Sequence, residues 1–336
     1  MAYELNQHTK HGERINERLY NKRFINDFYI DDTTAAKYHY TSLAGLKGIL
    51  ESRTFFFTDS QFLNDYREKV NINQELDRFW SLNKNEYDLR FYKLLSGIRI
   101  KDHEDTGYSY FSEDGNIIRC RYYVFSLSTN GDSLSMWKYY SKGNDYQGYC
   151  LSIFDYALGD EWIDLQEENE VVIIAGCVKY ELDEKQTIIY ETVNHLYNIW
   201  QKYEISDRLE KKIIQEFETW LSIKAIFFKD NCFKDENETR YVAIVPIEQL
   251  SSLKYEYKGN SHTMYDFRIV NDMLVPYIKI PFHYWNADFC YVINAIRVGP
   301  SHTFLQKKKS LEMFIESLDY KLNCCPIIES EIPVRY

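Results

Sequence analysis

Strand-length runs rich in aromatic and β-branched residues recur along this chain, and helical patterns do not alternate with them regularly. Residues 38–40, 55–57, 122–128, 149–154, 171–180 and 239–245 read as strands, with two more near 274–280 and 292–298. A doubly wound parallel sheet needs a helix in almost every crossover. Here helical spacing is confined to a few places. Leu43, Leu46, Ile49 and Leu50 repeat at helical intervals behind Thr41 or Ser42, either of which can cap a helix. Residues 71–105 are helical and mixed in polarity, and Met136, Trp137, Tyr139 and Tyr140 follow the break at Asn130-Gly131-Asp132. A long helical region spans about 187–228, and a last helix covers 308–318. The pattern predicts an α+β fold. Its expected organisation is an N-terminal arm or cap over 1–36, with a helical candidate at 13–29, then one domain over 37–305 carrying the helical insertion at about 187–228, and a C-terminal helix and tail over 306–336.

Composition excludes several classes. An aromatic content of 17% supplies ample surface to bury, so the disordered class does not apply. The formal charge of −11 gives no general attraction to phosphate backbones, which disfavours a large nucleic-acid footprint. The one dense basic run, Lys307-Lys308-Lys309, reads as a solvated helix start. Seven Cys occur with no Cys-x-x-Cys pair, so neither a zinc ribbon nor a thioredoxin-type motif is supported. Most lie in apolar runs such as Ala175-Gly176-Cys177-Val178 and read as small buried hydrophobes. The vicinal Cys324-Cys325 reads as buried packing, with a redox pair as the alternative. Reduced thiols imply the cytosol. The first residues have no apolar signal core, and runs such as 171–178 are too short to span a bilayer. A cytoplasmic protein without membrane association is expected.

Three polar motifs interrupt the strand-like runs: His39-Tyr40-Thr41-Ser42, Ser126-Leu127-Ser128 and Glu236-Asn237-Glu238. Alternation in 122–128 sends Tyr123, Phe125 and Leu127 one way and Val124, Ser126 and Ser128 the other. A His, a Ser pair and a Glu pair, each beside large aromatics, can line one cleft, and this order suits a site that binds a nucleotide sugar. Each part also has a plainer role. His39 fits a satisfied core histidine, the serines fit half-exposed strand positions, and Trp137 and Tyr140 fit core packing. Asn64, Asp65 and Glu68 form a turn or shape the cleft. Glu236 and Glu238 fit an exposed acidic loop with Arg240 as a surface partner. No glycine-rich phosphate loop is present, and no His/Cys cluster points to a metal, so none is expected.

His39-Tyr40-Thr41-Ser42-Leu43 with Ile49-Leu50-Glu51-Ser52 resembles the opening of the bacterial "domain of unknown function 2971" family. So do Asn64-Asp65 with Glu68, and Phe125-Ser126-Leu127-Ser128 followed by Trp137, Tyr140 and Gly148. Lys229, Glu236, Glu238 and Arg240 resemble the family's Glu-x-Glu-x-Arg block, and Val275-Pro276-Tyr277 and Val298-Gly299-Pro300 its closing segments. The resemblance covers roughly 37–305. Tyr66 stands where the family often has Pro. More remotely, the His-first, Ser-pair-middle, Glu-last order is similar to mono-ADP-ribosyltransferase folds. Those place His or Arg on a first strand, Ser or Tyr on a second, and a catalytic Glu last.

This second resemblance implies a central mixed or split, antiparallel-rich sheet with helical decoration, NAD as substrate, and ADP-ribosyl transfer or NAD cleavage. The acceptor is left open between protein, nucleic acid and water. The type of family resembled implies bacterial defence or toxin-like regulation, with a protein partner in a defence system. Cleaving the nicotinamide–ribose bond passes through an oxocarbenium-like state, which a nearby carboxylate stabilises. Glu238 takes that role, and Glu236, on the same face if the segment is extended, acts as base on the acceptor. His39 donates to ribose or adenine-side hydroxyls. Tyr40 and Thr41 belong to the same binding strand. Ser126 and Ser128 bind the nucleotide or brace Glu238, Trp137 and Tyr140 stack on a base, and Arg240 with Lys229 binds pyrophosphate. Two other classes remain: a noncatalytic nucleotide- or partner-binding module using the same cleft, and a metal-dependent nuclease if Asp65, Glu68, Glu236 and Glu238 converge.

Overall fold

The computed structural model describes residues 36–63, 68–100, 108–111, 117–140, 148–154, 171–257, 259–282, 292–318 and 325–333. The N-terminal arm and most of the Asn64-Asp65 turn, with the side chain of Glu68, lie outside them. The chain folds into helices around a mostly antiparallel sheet, which is the α+β class expected.

The organising element is β4 (Ile117–Ser128). It is apolar on both faces. Tyr123, Phe125 and Leu127 enter the main core, while Tyr122 and Val124 pack with Ile223 and Phe227 on the other side. Such a strand belongs at the centre of a sheet. Its pairing is unusual. Cys120 has both Tyr108 of β3 (Tyr108–Phe111) and Pro246 of β7 (Glu238–Pro246) as neighbours. Val124 has Thr58 of β2 (Thr54–Asp59) and Val242, and Ser128 has Tyr38 of β1 (Lys37–Thr41) and Glu238. A strand has two edges. β7 therefore fills one of them from Cys120 to Ser128, and β3, β2 and β1 share the other in succession. Phe125, Ser126 and Leu127 fall between β2 and β1 and pair, among the described residues, with β7 alone. The sheet is split at this point.

Two wings fan out from the split. One continues from β2 through β11 (Met273–Pro281) to β10 (Tyr265–Val270). The other continues from β1 through β5 (Tyr149–Ile153) and β12 (Ile293–Val298) to β13 (Ile327–Glu329), whose pairing with β12 is parallel. β6 (Val172–Cys177) flanks β7, and a separate hairpin joins β8 (Lys254–Tyr257) to β9 (Asn260–Thr263). Helix α1 (Leu43–Ser52) connects β1 to β2. Ser42 caps it by accepting from the Gly45 amide, and Leu46, Ile49 and Leu50 are buried, as their spacing implies.

The helical region differs from the expectation in two ways. It is two helices, α5 (Leu182–Lys202) and α6 (Asp207–Lys224), broken at 203–206 without Gly or Pro, with Ser206 capping the second through the Leu209 amide. They also do not pack alone. Ile189, Val193, Phe217 and Trp220 share one core with Phe79 and Trp80 of α2 (Glu68–Asn83) and Phe91 of α3 (Leu89–Leu95). The C-terminal part is no loose tail. Leu311 and Ile315 of α7 (Phe304–Ser317), together with Ile327 of β13, belong to the main core. Cys120, Cys150 and Cys325 are buried as expected, whereas Cys177, at the end of β6, is exposed. Cys324 lies outside the described residues. No described helix is long and apolar enough to cross a membrane.

Candidate functional site

A cavity of about 410 Å³ opens at the split, in the volume range of small-molecule sites. His39, Tyr40 and Thr41 of β1, Ser126 of β4, and Glu236, Glu238 and Arg240 all line it, with Tyr140 of α4 (Leu134–Tyr140) in its wall. The split brings them together. β1 carries His39 past the stretch of β4 that has no strand on that edge among the described residues, and β7 runs along the other edge.

His39 fills part of the missing pairing. Its Nδ1 lies 3.0 Å from the Ser126 carbonyl oxygen. A carbonyl only accepts, so Nδ1 carries the hydrogen and Nε2 keeps a lone pair. The ring lies against Phe125, with 4.6 Å between centroids. Burial pushes its pKa down to about 4, the Ser126 bond opposes this, and the positive charge of Arg268 adds to it. His39 is thus neutral near pH 7. Its free nitrogen is an acceptor, contrary to the donor role expected from the sequence.

The carboxylates meet through a turn rather than through strand alternation. Glu236 ends a 3-10 turn (Asn231–Glu236), Asn237 adopts a left-handed conformation with φ 43°, and Glu238 begins β7. Asn tolerates this region better than most residues. The turn lets both side chains reach Lys229, whose Nζ lies 2.7 Å from Glu236 and 3.2 Å from Glu238. Arg240 then takes Glu238 with two parallel bonds, Nε to Oε1 at 2.8 Å and Nη2 to Oε2 at 2.8 Å, and donates a further bond to the Ile226 carbonyl. Glu236 and Glu238 are each 5% exposed and Arg240 is 1% exposed, so this is a buried network rather than an acidic surface loop. Burial alone would raise Glu238. Arg240, Lys229 and the Ser126 hydroxyl outweigh it and hold the carboxyl at about 2. Glu236 moves the other way: burial and the Glu238 charge raise it against the pull of Lys229. Neither Lys229 nor Arg240 is left open for pyrophosphate, and the two carboxylates converge on an ammonium group. The nuclease alternative needs Asp65 and the Glu68 side chain as well, and both lie outside the described residues.

Two expected site residues are not on the cavity wall. Ser128 is fully buried; its hydroxyl donates to the Glu236 carbonyl at 2.8 Å and accepts from the Asn130 amide, holding the carboxylate turn against β4. Trp137 is 1% exposed and packs edge-on against Tyr40, with Nε1 donating to Asp132 at 2.7 Å. Asp132 also accepts from Arg297, Ser330 and the Glu331 amide, so it clasps the C-terminal segment to the rear of this wall. Tyr40 contributes its ring only, because its hydroxyl donates to the Asn130 carbonyl and accepts from the Ser133 amide. Thr41 Oγ1 would lie 2.1 Å from a Cβ at position 45, so Gly45 is what allows α1 to start this close to β1.

The sequence reading missed Arg268 altogether. It lines the same cavity from β10, a strand whose alternation is short and mixed. The one available signal was the turn Asn271-Asp272, where both residues have positive φ, as a tight hairpin requires.

Residues 136–241 match a family model described as "Protein of unknown function (DUF2971)". The resemblance read from the motifs is thereby shown over the stretch that holds Trp137, Tyr140, Gly148, Lys229, Glu236, Glu238 and Arg240. His39 and Arg268 fall outside it. Comparison with curated proteins and with solved structures gave no match.

Proposed function

We propose that the cavity binds NAD and that the chain cleaves its nicotinamide–ribose bond, by ADP-ribosyl transfer or by hydrolysis. The observation that carries this reading is the meeting, in one cavity at a split between two strands, of a neutral histidine acceptor and a buried carboxylate pair. A split sheet of this kind suits an ADP-ribosyltransferase-like fold. In this reading His39 Nε2 accepts from a ribose hydroxyl and fixes the sugar. Glu238 supplies fixed negative charge near the ribose, though Arg240 balances much of it. Glu236 becomes the working carboxylate. One of its oxygens takes Lys229, the other has no partner among the described residues, and its raised pKa suits proton transfer to or from the acceptor. Tyr140 offers a ring to a base. The acceptor is a protein, a nucleic acid or water, and the setting of bacterial defence or toxin-like regulation follows from the type of family resembled.

The two-bond clasp of Arg240 on Glu238 favours a second reading, a nucleotide-binding module without turnover. Calorimetric titration with NAD and an assay of nicotinamide release separate the two. Binding with release that falls in Glu236→Gln supports the enzyme. Binding without any release leaves the module, and no NAD binding removes the enzyme and leaves the module only if another nucleotide binds.

A further inference from the structure

We propose that Arg268, with Thr58 and the ring of Tyr277, forms an anion subsite that takes the phosphate groups of the ligand on the β2–β11–β10 wing. Its identification as the pyrophosphate of a nucleotide rests on the proposed function; its preference for an anion does not.

Arg268 has few partners for an arginine partly shielded from solvent. Its Nη2 donates to Thr58 Oγ1 at 2.5 Å, and its guanidinium lies 5.7 Å from the Tyr277 ring centre. Nε is shielded from solvent and has no hydrogen-bond partner among the described residues. Arginine has five donors, and a buried one is normally satisfied. No carboxylate among the described residues pairs with it. Two carboxylates on its own wing are committed elsewhere: Asp266 accepts from Lys279 at 2.6 Å and from the Tyr277 hydroxyl, and Asp59 holds Arg121 at 3.0 Å. A partly desolvated guanidinium that keeps unfilled donors in a cavity wall is suited to a phosphate, which an arginine holds with charge-assisted bonds. Arg240 shows the contrast, since it lines the same cavity with its fork already filled by Glu238. His39 feels the charge of Arg268, which places the anion site within electrostatic reach of the proposed sugar position.

The test is calorimetric titration of the full chain with inorganic pyrophosphate, ADP and adenosine, for wild type, Arg268→Gln and Arg268→Lys. Wild type binds pyrophosphate, and binds ADP more tightly than adenosine by about tenfold or more, the scale of a charge-assisted hydrogen-bond pair. Arg268→Gln removes that preference and leaves adenosine affinity unchanged. Arg268→Lys keeps part of it, because a point charge lacks the planar fork. If Arg268→Gln does not fold, full retention of the preference in Arg268→Lys overturns the fork. No pyrophosphate binding to wild type, or wild-type ADP affinity in Arg268→Gln, overturns the subsite. Pyrophosphate binding that depends on Arg268, in a chain that releases no nicotinamide, keeps the subsite and removes the NAD-cleaving reading. Nicotinamide release with ADP affinity indifferent to Arg268 does the reverse.

Discussion

Arg240, on β7, and Arg268, on the β2–β11–β10 wing, face the same cavity and live in opposite electrostatic states. Arg240 is buried in a closed network whose charges cancel: two carboxylates, one guanidinium and one ammonium. Arg268 has a hydroxyl and an aromatic ring for company and no carboxylate among the described residues. The first end is built to hold its shape, and the second keeps binding capacity in reserve. Two cavity-lining arginines that look alike in the sequence, each with an acidic residue two positions before it, are thus separated by whether that residue pairs with them. Glu238 does so for Arg240. Asp266 stands at the same spacing from Arg268, but Lys279 and Tyr277 draw it off.

The largest expected effect breaks the closed end. Arg240→Leu leaves Glu238 buried without its main partner and should lower stability by ~3–5 kcal/mol, the cost of breaking a buried ion pair from one side. Arg268→Leu removes a partly desolvated cation and should change stability by less than ~1 kcal/mol. Thermal or urea unfolding of both variants checks this, and equal losses would erase the distinction between the ends.

The next effect concerns the two carboxylates. Glu238→Gln also strands Arg240, so it should destabilise the fold by ~2–4 kcal/mol as well as reduce any turnover. Glu236→Gln loses one bond from Lys229 and should cost ~1–2 kcal/mol, with the larger loss in nicotinamide release. Unfolding curves measured beside activity separate the two positions.

Acid titration sharpens the comparison further. The depressed Glu238 pKa contributes stability that is complete above the usual carboxyl value of 4.5 and is lost as pH falls through about 2. His39 acts in the neighbouring window. Its folded pKa of about 4 lies below the ordinary 6.5, so the unfolded chain binds the extra proton between these values and stability declines as pH drops through that range. NMR titration of the His39 ring should find no protonation near pH 6, and His39→Gln should flatten the decline between pH 6.5 and 4. A further effect lies at the rear of the wall. Trp137→Phe deletes one bond to an Asp132 that keeps its other partners, so stability should fall by ~1 kcal/mol with ligand affinity unchanged. A loss of affinity there would put Trp137 back among the binding residues.

The strands that form the split were legible because their residues leave little choice. Phe55-Phe56-Phe57 and 122–128 are too short and too apolar for surface helices, and the polar interruptions at His39, Ser126 and Glu238 stood out against them. The fate of each side chain was less legible. Ser128 and Trp137 look like binding residues by type, yet their hydroxyl and indole N–H serve Glu236, Asn130 and Asp132. Those partners lie across turns that strand periodicity does not describe. Glu236 reaches Lys229 through the left-handed Asn237, which an extended reading could not supply. The break at 203–206 carries no Gly or Pro, so it was hidden within one amphipathic pattern. Arg268 was missed because Tyr265, Phe267 and Ile269 alternate with Asp266 and Arg268, a pattern that turns the charged residues outward, whereas on this edge strand Phe267 and Ile269 are exposed and Arg268 lines the cavity.

The succession of neighbours along β4 also governs how the chain must come together. Its four partner strands are drawn from positions 37–41, 54–59, 108–111 and 238–246, and the strand that fills one edge from Cys120 to Ser128 is the last of them to be synthesised. Until then Tyr122, Val124 and Phe125 have that edge open, with apolar side chains on both faces. Pairing across more than a hundred residues makes such a sheet slow to close, and a strand edge of this composition is prone to association while it waits. A nascent or truncated chain that stops short of β7 therefore leaves this edge of β4 unpaired, and the sheet is completed late, when Glu238 to Pro246 pairs with β4.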